Sequence, residues 1–181
     1  MTVVVTDHHE VPYIEENGVR REKISEADAI VNPKQEACQY PFKKLCGAAV
    51  AWKLVQVLYE HAGIPVSEAD RFIENAGFAT VGDVMDLQGE NRVLVKLGLK
   101  MLNQTQNIGM KALILQNNRK LGEIRSGDIG FGLGPCLNAT GRLETARIAL
   151  KLPLCESAAE AAVLAQDAVE LHKGRKLFTE H

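Results

Sequence analysis

Asp7, His8 and His9 follow directly on Val3-Val4-Val5-Thr6, so an acid and two imidazoles stand at the end of a β-branched run. Carboxylate and imidazole both ligate divalent cations, and adjacent positions present their donors at different angles. Position adds to type. A continuous apolar run bounded by polar residues reads as a strand buried on both faces, and in an open parallel sheet the ligand crevice lies just past the strand's C-terminal end. A bare Asp-His-His is also what a polar turn after a strand looks like. A further carboxylate stands at Asp83, inside 77–87, a run that is apolar except for Thr80, Asp83 and Asp86. A buried unpaired carboxylate is costly, so Asp83 calls either for a hydrogen-bonded helix cap or for a metal that neutralises it. The third stretch, 126–142, carries Gly127, Gly130, Gly132, Gly134 and Gly141 and reads as irregular. Such glycines give the freedom for tight turns or close ligand approach. Asn138 and Arg142 within it have the chemistry to hydrogen-bond phosphate or sugar, or simply to decorate a loop. It is not a dinucleotide fingerprint, because Leu137 stands where a third glycine is required.

These residues need elements to hold them. Strands are expected at 2–6 and about 27–31, the second ended by Asn32-Pro33. They read as parallel neighbours, since 7–26 is long enough for a crossover, with an exposed loop over 10–23 that turns at Asn17-Gly18. Apolar residues at Ala49, Trp52, Val55, Leu58 and Tyr59 predict a helix over 45–61, packed on the sheet and stopped by Gly63 and Pro65. Further helices are expected at 68–76, 90–103, 108–116 and 144–152. Ser157-Ala158-Ala159-Glu160 has the form of a capping box that opens a last helix. The fold class is therefore α/β, a parallel-sheet part followed by a mostly helical segment.

Bulk composition narrows the classes. The chain has 181 residues, 46% hydrophobic and 24% charged, which suits a soluble globular domain. A net charge of −2 argues against a polycation that coats nucleic acid, but leaves room for nucleic acid held by metal ions and a few arginines. The best apolar stretch, 46–59, is short and carries Lys53, so no membrane span is expected. None of Cys38, Cys46, Cys136 and Cys155 forms a C-x-x-C pair, which argues against zinc and fits a reducing cytoplasm.

Three separated pieces carry a resemblance. Val-Val-Thr-Asp-His-His at 4–9, Ala-Thr-Val-Gly-Asp-Val-Met-Asp-Leu at 79–87 and Leu-Gly-Pro-Cys-Leu-Asn-Ala-Thr-Gly-Arg-Leu at 133–143 resemble, in order and spacing, the DHH phosphoesterase superfamily. The last piece points to its bacterial single-stranded-DNA-specific exonucleases. Leu-Cys-Gly-Ala-Ala-Val-Ala at 45–51 and Gly89-Glu90-Asn91-Arg92 share the likeness, which covers nearly the whole chain. The triplet alone is a weak signal; the segments together are specific. The resemblance implies a hydrolase that uses manganese or magnesium to cleave phosphodiester bonds of single-stranded DNA from the 5′ end, in DNA repair and recombination, with unidentified repair proteins as further partners. It implies His8 and Asp83 as metal ligands, His9 facing the scissile phosphate, Asp7 supporting the imidazoles, and Asn138 and Arg142 beside the DNA. It also implies that 1–155 is the C-terminal portion of a DHH domain and that 156–181 begins a helix leading to a DHH-associated domain. The superfamily's two upstream aspartate motifs have no counterpart here, so the chain is expected to be an internal fragment, inactive and poorly soluble by itself. Two departures stand out: Cys136 replaces a common arginine, and Gly82 a more usual alanine. The competing expectations are a phosphodiesterase of short oligonucleotides or dinucleotides, and an inactive replication scaffold.

Overall fold

Val4 to Thr6 and Ala29 to Val31 pair as the parallel strands β1 (Val4–Thr6) and β4 (Ala29–Val31), with Val4 opposite Ala29 and Thr6 opposite Val31. In this computed structural model residues 1–143 and 146–179 are described, with side chains outside 140–148 and 175–179. Between the parallel strands, where the sequence suggests a loop, two more strands form. β2 (Tyr13–Glu16) and β3 (Val19–Glu22) make an antiparallel hairpin. Asn17 and Gly18 have φ of 54° and 76°, the positive pair that a tight two-residue hairpin turn requires. Both strands are almost wholly exposed, so the alternation that marks a half-buried strand is missing. The Arg20 guanidinium, 3.7 Å above the Tyr13 ring, ties them instead.

β1 is likewise less covered than its composition suggests. Val4 is 54% exposed and only the middle residues of β1 and β4 are partly buried, because a two-stranded sheet leaves much of its faces open. Helix α1 (Gly47–His61) lies against β1 and against a 3-10 turn (Val66–Phe72) and α2 (Ile73–Gly82). Its contact face is small and tight: Cys46, Ala49 and Ala76 are fully buried, the Trp52 indole donates to the Ala69 carbonyl at 3.0 Å, and Cys46 Sγ lies 3.4 Å from Thr80 Oγ1. α3 (Gly89–Leu102) follows. The chain divides into two compact units, Met1–Val95 and Lys96–His181.

The second unit is helical: α4 (Ile108–Gln116), a short α5 (Ser126–Asp128) that runs through a π-helical segment (Ile129–Leu133) into α6 (Gly134–Leu143), α7 (Ala146–Leu154) and α8 (Ala158–Thr179). Asn107 caps α4 by accepting from the Met110 N–H at 2.9 Å and donates to the Pro153 carbonyl at 2.7 Å. Ala161, Ala165 and Ala168 share one fully buried face of α8, which lets α4 and α6 approach closely. The glycine-rich stretch is thus not irregular. Ile129, Leu133 and Cys136 recur at helical spacing and are all buried, and their burial outweighs the intrinsic cost of glycine in a helix. The π-helical turn falls among Gly130 and Gly132, where that cost is concentrated. Among the described residues no helix is long and apolar enough to cross a membrane.

Candidate metal centre

The Asp7 N–H donates to the Val31 carbonyl at 3.0 Å, extending the parallel ladder one residue past β1. The chain then turns sharply, and the Asp7 carboxylate makes the turn. Its Oδ1 accepts from the His8 N–H at 2.7 Å, the His9 N–H at 3.2 Å and His9 Nδ1 at 2.7 Å. An aspartate that hydrogen-bonds its following backbone is a strong local turn former. The same bonds, that to the His9 ring first and those to the His8 and His9 N–H groups next, pull the Asp7 pKa down to about 2. Asp7 therefore orients His9 more than His8, whose Nδ1 stands 3.9 Å away, beyond hydrogen-bond reach. His9 is 76% exposed and its ring leans over that of His8, 4.3 Å between centroids.

Asp83 arrives from a helix end. It is the C-cap of α2, its N–H bonded to the Ala79 carbonyl at 2.8 Å. The next two residues close a Schellman-type turn, Val84 N–H to Val81 O at 3.1 Å and Met85 N–H to Thr80 O at 3.1 Å. Glycine is usual at the first of these positions; here Val84 holds φ 55°. A β-branched residue in the left-handed region costs on the order of 1–3 kcal/mol. The absence of glycine there is why the sequence concealed the helix end; the acid that ends the helix is not buried, Asp83 being 47% exposed. Although far apart in the sequence, His8 and Asp83 meet: His8 Nε2 lies 3.5 Å from Asp83 Oδ2.

Two further residues hold these loops, and the sequence shows them only as parts of motif-like segments. The Asn91 side chain, fully buried, donates to the carbonyls of Lys44 at 2.7 Å and Asp86 at 3.0 Å. It thereby ties the approach to α1 to the loop after Asp83. Gly47, the first residue of α1, lies directly against the His8 ring. Asn138 is exposed on α6 in the second unit. Arg142 is one helical turn further along α6, and its side chain falls outside the described residues. Cys136, the departure noted above, is buried with its thiol donating to Asn117 Oδ1 at 3.4 Å.

The donor set suits a divalent cation. Two ligands bound to one ion at about 2.0–2.2 Å are about 3.0–3.5 Å apart, depending on the angle between them, and the His8–Asp83 separation of 3.5 Å is of that size. Ligand atoms of Asp7, His8 and His9 also lie within 4.8 Å of one another. Carboxylate oxygen suits magnesium and manganese, and imidazole is the commonest protein ligand of transition metals, so the pair fits a divalent ion such as manganese.

A parallel strand that ends in Asp-His-His opposite a helix-capping aspartate is the arrangement expected from the motifs at 4–9 and 79–87. The match is to RecJ. The chain is 39% identical over 176 residues to the single-stranded-DNA-specific exonuclease RecJ of Bacillus subtilis strain 168, covering 97% of this chain and 20% of that protein. It is 32% identical over 184 residues to the RecJ of Escherichia coli K12, covering 96% and 30%. It superposes on the crystal structure of Thermus thermophilus RecJ in complex with Mn2+ with a TM-score of 0.79 at 28% identity, over 99% of this chain and 25% of that one. A crystal structure of exonuclease RecJ bound to manganese gives the same TM-score at 29% identity, over 99% and 42%. No family model matches. The chain thus corresponds to a stretch of RecJ, and spans less than a third of the length of these curated relatives.

Proposed function

We propose that the chain supplies part of the catalytic centre of a manganese- or magnesium-dependent exonuclease that degrades single-stranded DNA from the 5′ end in repair and recombination. The observation that carries this reading is the approach of His8 Nε2 to Asp83 Oδ2 at 3.5 Å, across two loops that a RecJ-like fold brings together. His8 and Asp83 hold the metal. The bound cation supplies Lewis acidity toward a phosphoryl oxygen and a water acidic enough to attack near neutral pH. Asp7, ionised and bonded to His9 Nδ1, fixes that imidazole with Nε2 outward, where it hydrogen-bonds a non-bridging phosphate oxygen. Asn138 and Arg142 contact the strand's backbone. Residues 1–155 act as the portion of the DHH domain that bears these groups, and 156–181 as the start of the helix that leads onward. Two cations need more inner-sphere carboxylates than Asp83 alone provides, so the remaining ones come from RecJ sequence outside the matched stretch, and the 181-residue chain by itself does not cleave DNA.

The test is a comparison with a 5′-labelled single strand and Mn2+. The complete enzyme that contains this sequence should digest it, His8→Ala should reduce the rate by several orders of magnitude, and the 181-residue chain should be inactive. Digestion by the short chain, or full activity of His8→Ala, would refute the assignment. A preference for two- to five-nucleotide substrates would shift the reading to an oligonucleotide phosphodiesterase.

A further inference from the structure

We propose that Gly47 is a positioning residue for His8: the side chain it lacks is the space in which the imidazole sits. The inference rests on the metal reading above and deepens it. A Cβ built at Gly47 would stand 3.1 Å from His8 Nδ1 and 3.5 Å from Cε1, the first closer than such atoms ordinarily approach. No other reason for glycine is visible at this position. Gly47 does not have a positive φ, so its backbone suits any residue. It opens a helix, where alanine is the better former, and alanine follows at 48 and 49. What the position needs is emptiness.

The ring has little room to yield. Its backbone N–H is bonded to Asp7 Oδ1 at 2.7 Å, the His9 ring lies against it, tilted by 40° with 4.3 Å between centroids, and Nε2 faces Asp83 at 3.5 Å. A methyl at 47 would have to displace the imidazole by a few tenths of an ångström. Metal–ligand distances tolerate only about 0.2 Å, so a shift of this size moves Nε2 out of register with Asp83. The residue acts through His8 and touches neither metal nor DNA.

The experiment is manganese titration of the complete protein, followed by the loss of the free-ion electron paramagnetic resonance signal, with thermal unfolding measured in parallel. Gly47→Ala should weaken manganese binding about tenfold, the lower end of what removing a ligand's support costs, with no fall in Tm. Gly82→Ala is the control: a Cβ there meets nothing within 4 Å, and affinity should be unchanged. A crystal structure of Gly47→Ala should show the His8 ring displaced. Wild-type affinity in Gly47→Ala, or an unmoved ring, overturns the proposal while leaving the metal reading intact. Wild-type affinity in His8→Ala instead removes the metal reading, and this proposal with it.

Discussion

The two units bury their chains in different ways. In the second, Leu113, Ile114, Leu133 and Leu152 are completely enclosed and α8 presents an alanine face, so stability comes from close helix packing. In the first, the strands that carry the Asp-His-His turn keep Val3, Val4 and Val31 exposed, and the loops around the candidate centre are held by hydrogen bonds: the Asp7 turn, the Val84 turn and the Asn91 tie. The candidate centre sits where packing is thin and hydrogen-bond geometry is specific. A centre built this way can be disabled without unfolding the chain, whereas the closest helix contact, at Gly109, leaves no room for a single methyl group.

The sharpest test of that contrast is Gly109→Ala. A Cβ at Gly109 would come within 1.7 Å of the Leu152 carbonyl oxygen, a clash with backbone that cannot swing aside. Destabilisation on the order of 4 kcal/mol is expected by chemical denaturation; a change under about 1 kcal/mol would show the helical unit to be far more plastic than its packing implies. Next, Asn91→Ala should cost about 2 kcal/mol by removing the donor to two carbonyls, and it should loosen the loops on which Lys44 and Asp86 sit, seen as faster amide exchange at 83–87. Unchanged exchange there would break the link between Asn91 and the centre. Val5→Ala, in the middle of β1, should cost only about 1 kcal/mol, because so little of the strand is covered. A loss as large as that of Gly109→Ala would erase the contrast.

The smallest effect is one of pH. Tyr40 Oη donates to Glu90 at 2.7 Å and Lys53 Nζ pairs with it at 2.8 Å. Burial pushes the Glu90 carboxyl up, but the bonds from Lys53 and Tyr40 outweigh it and hold the pKa below the ordinary 4.5. A depressed folded-state pKa adds stability above the unfolded value and loses it as pH falls through the folded one. Glu90→Gln should therefore destabilise at neutral pH and converge with the wild type below pH 4.5. A gap that widens on acidification would contradict the pairing.

The parts legible in the sequence are those with local causes. The 108–116 helix is a short run of mostly apolar helix-forming residues, and the parallel partners at Val4–Thr6 and Ala29–Val31 are short β-branched or apolar runs far enough apart in the chain for a crossover. The hairpin at 13–22 is concealed because both strands lie in solvent and show no alternation. The 126–143 helix is masked by glycines whose cost its buried residues outweigh. Asp83 reads as buried because the turn that closes its helix places Val84, and not a glycine, in the left-handed conformation that sequence patterns reserve for glycine. The seat of His8 against Gly47 is a contact between distant segments, and no local rule reports it.

The proposed metal site requires that His8 and Asp83 bind one ion together. Pulsed electron paramagnetic resonance of the manganese-loaded complete protein tests it directly, through the nitrogen coupling of a bound imidazole. Shared ligation should give a histidine nitrogen coupling that His8→Ala abolishes, and much weaker manganese binding in Asp83→Ala. The same coupling in His8→Ala, or undiminished manganese affinity in Asp83→Ala, would contradict it.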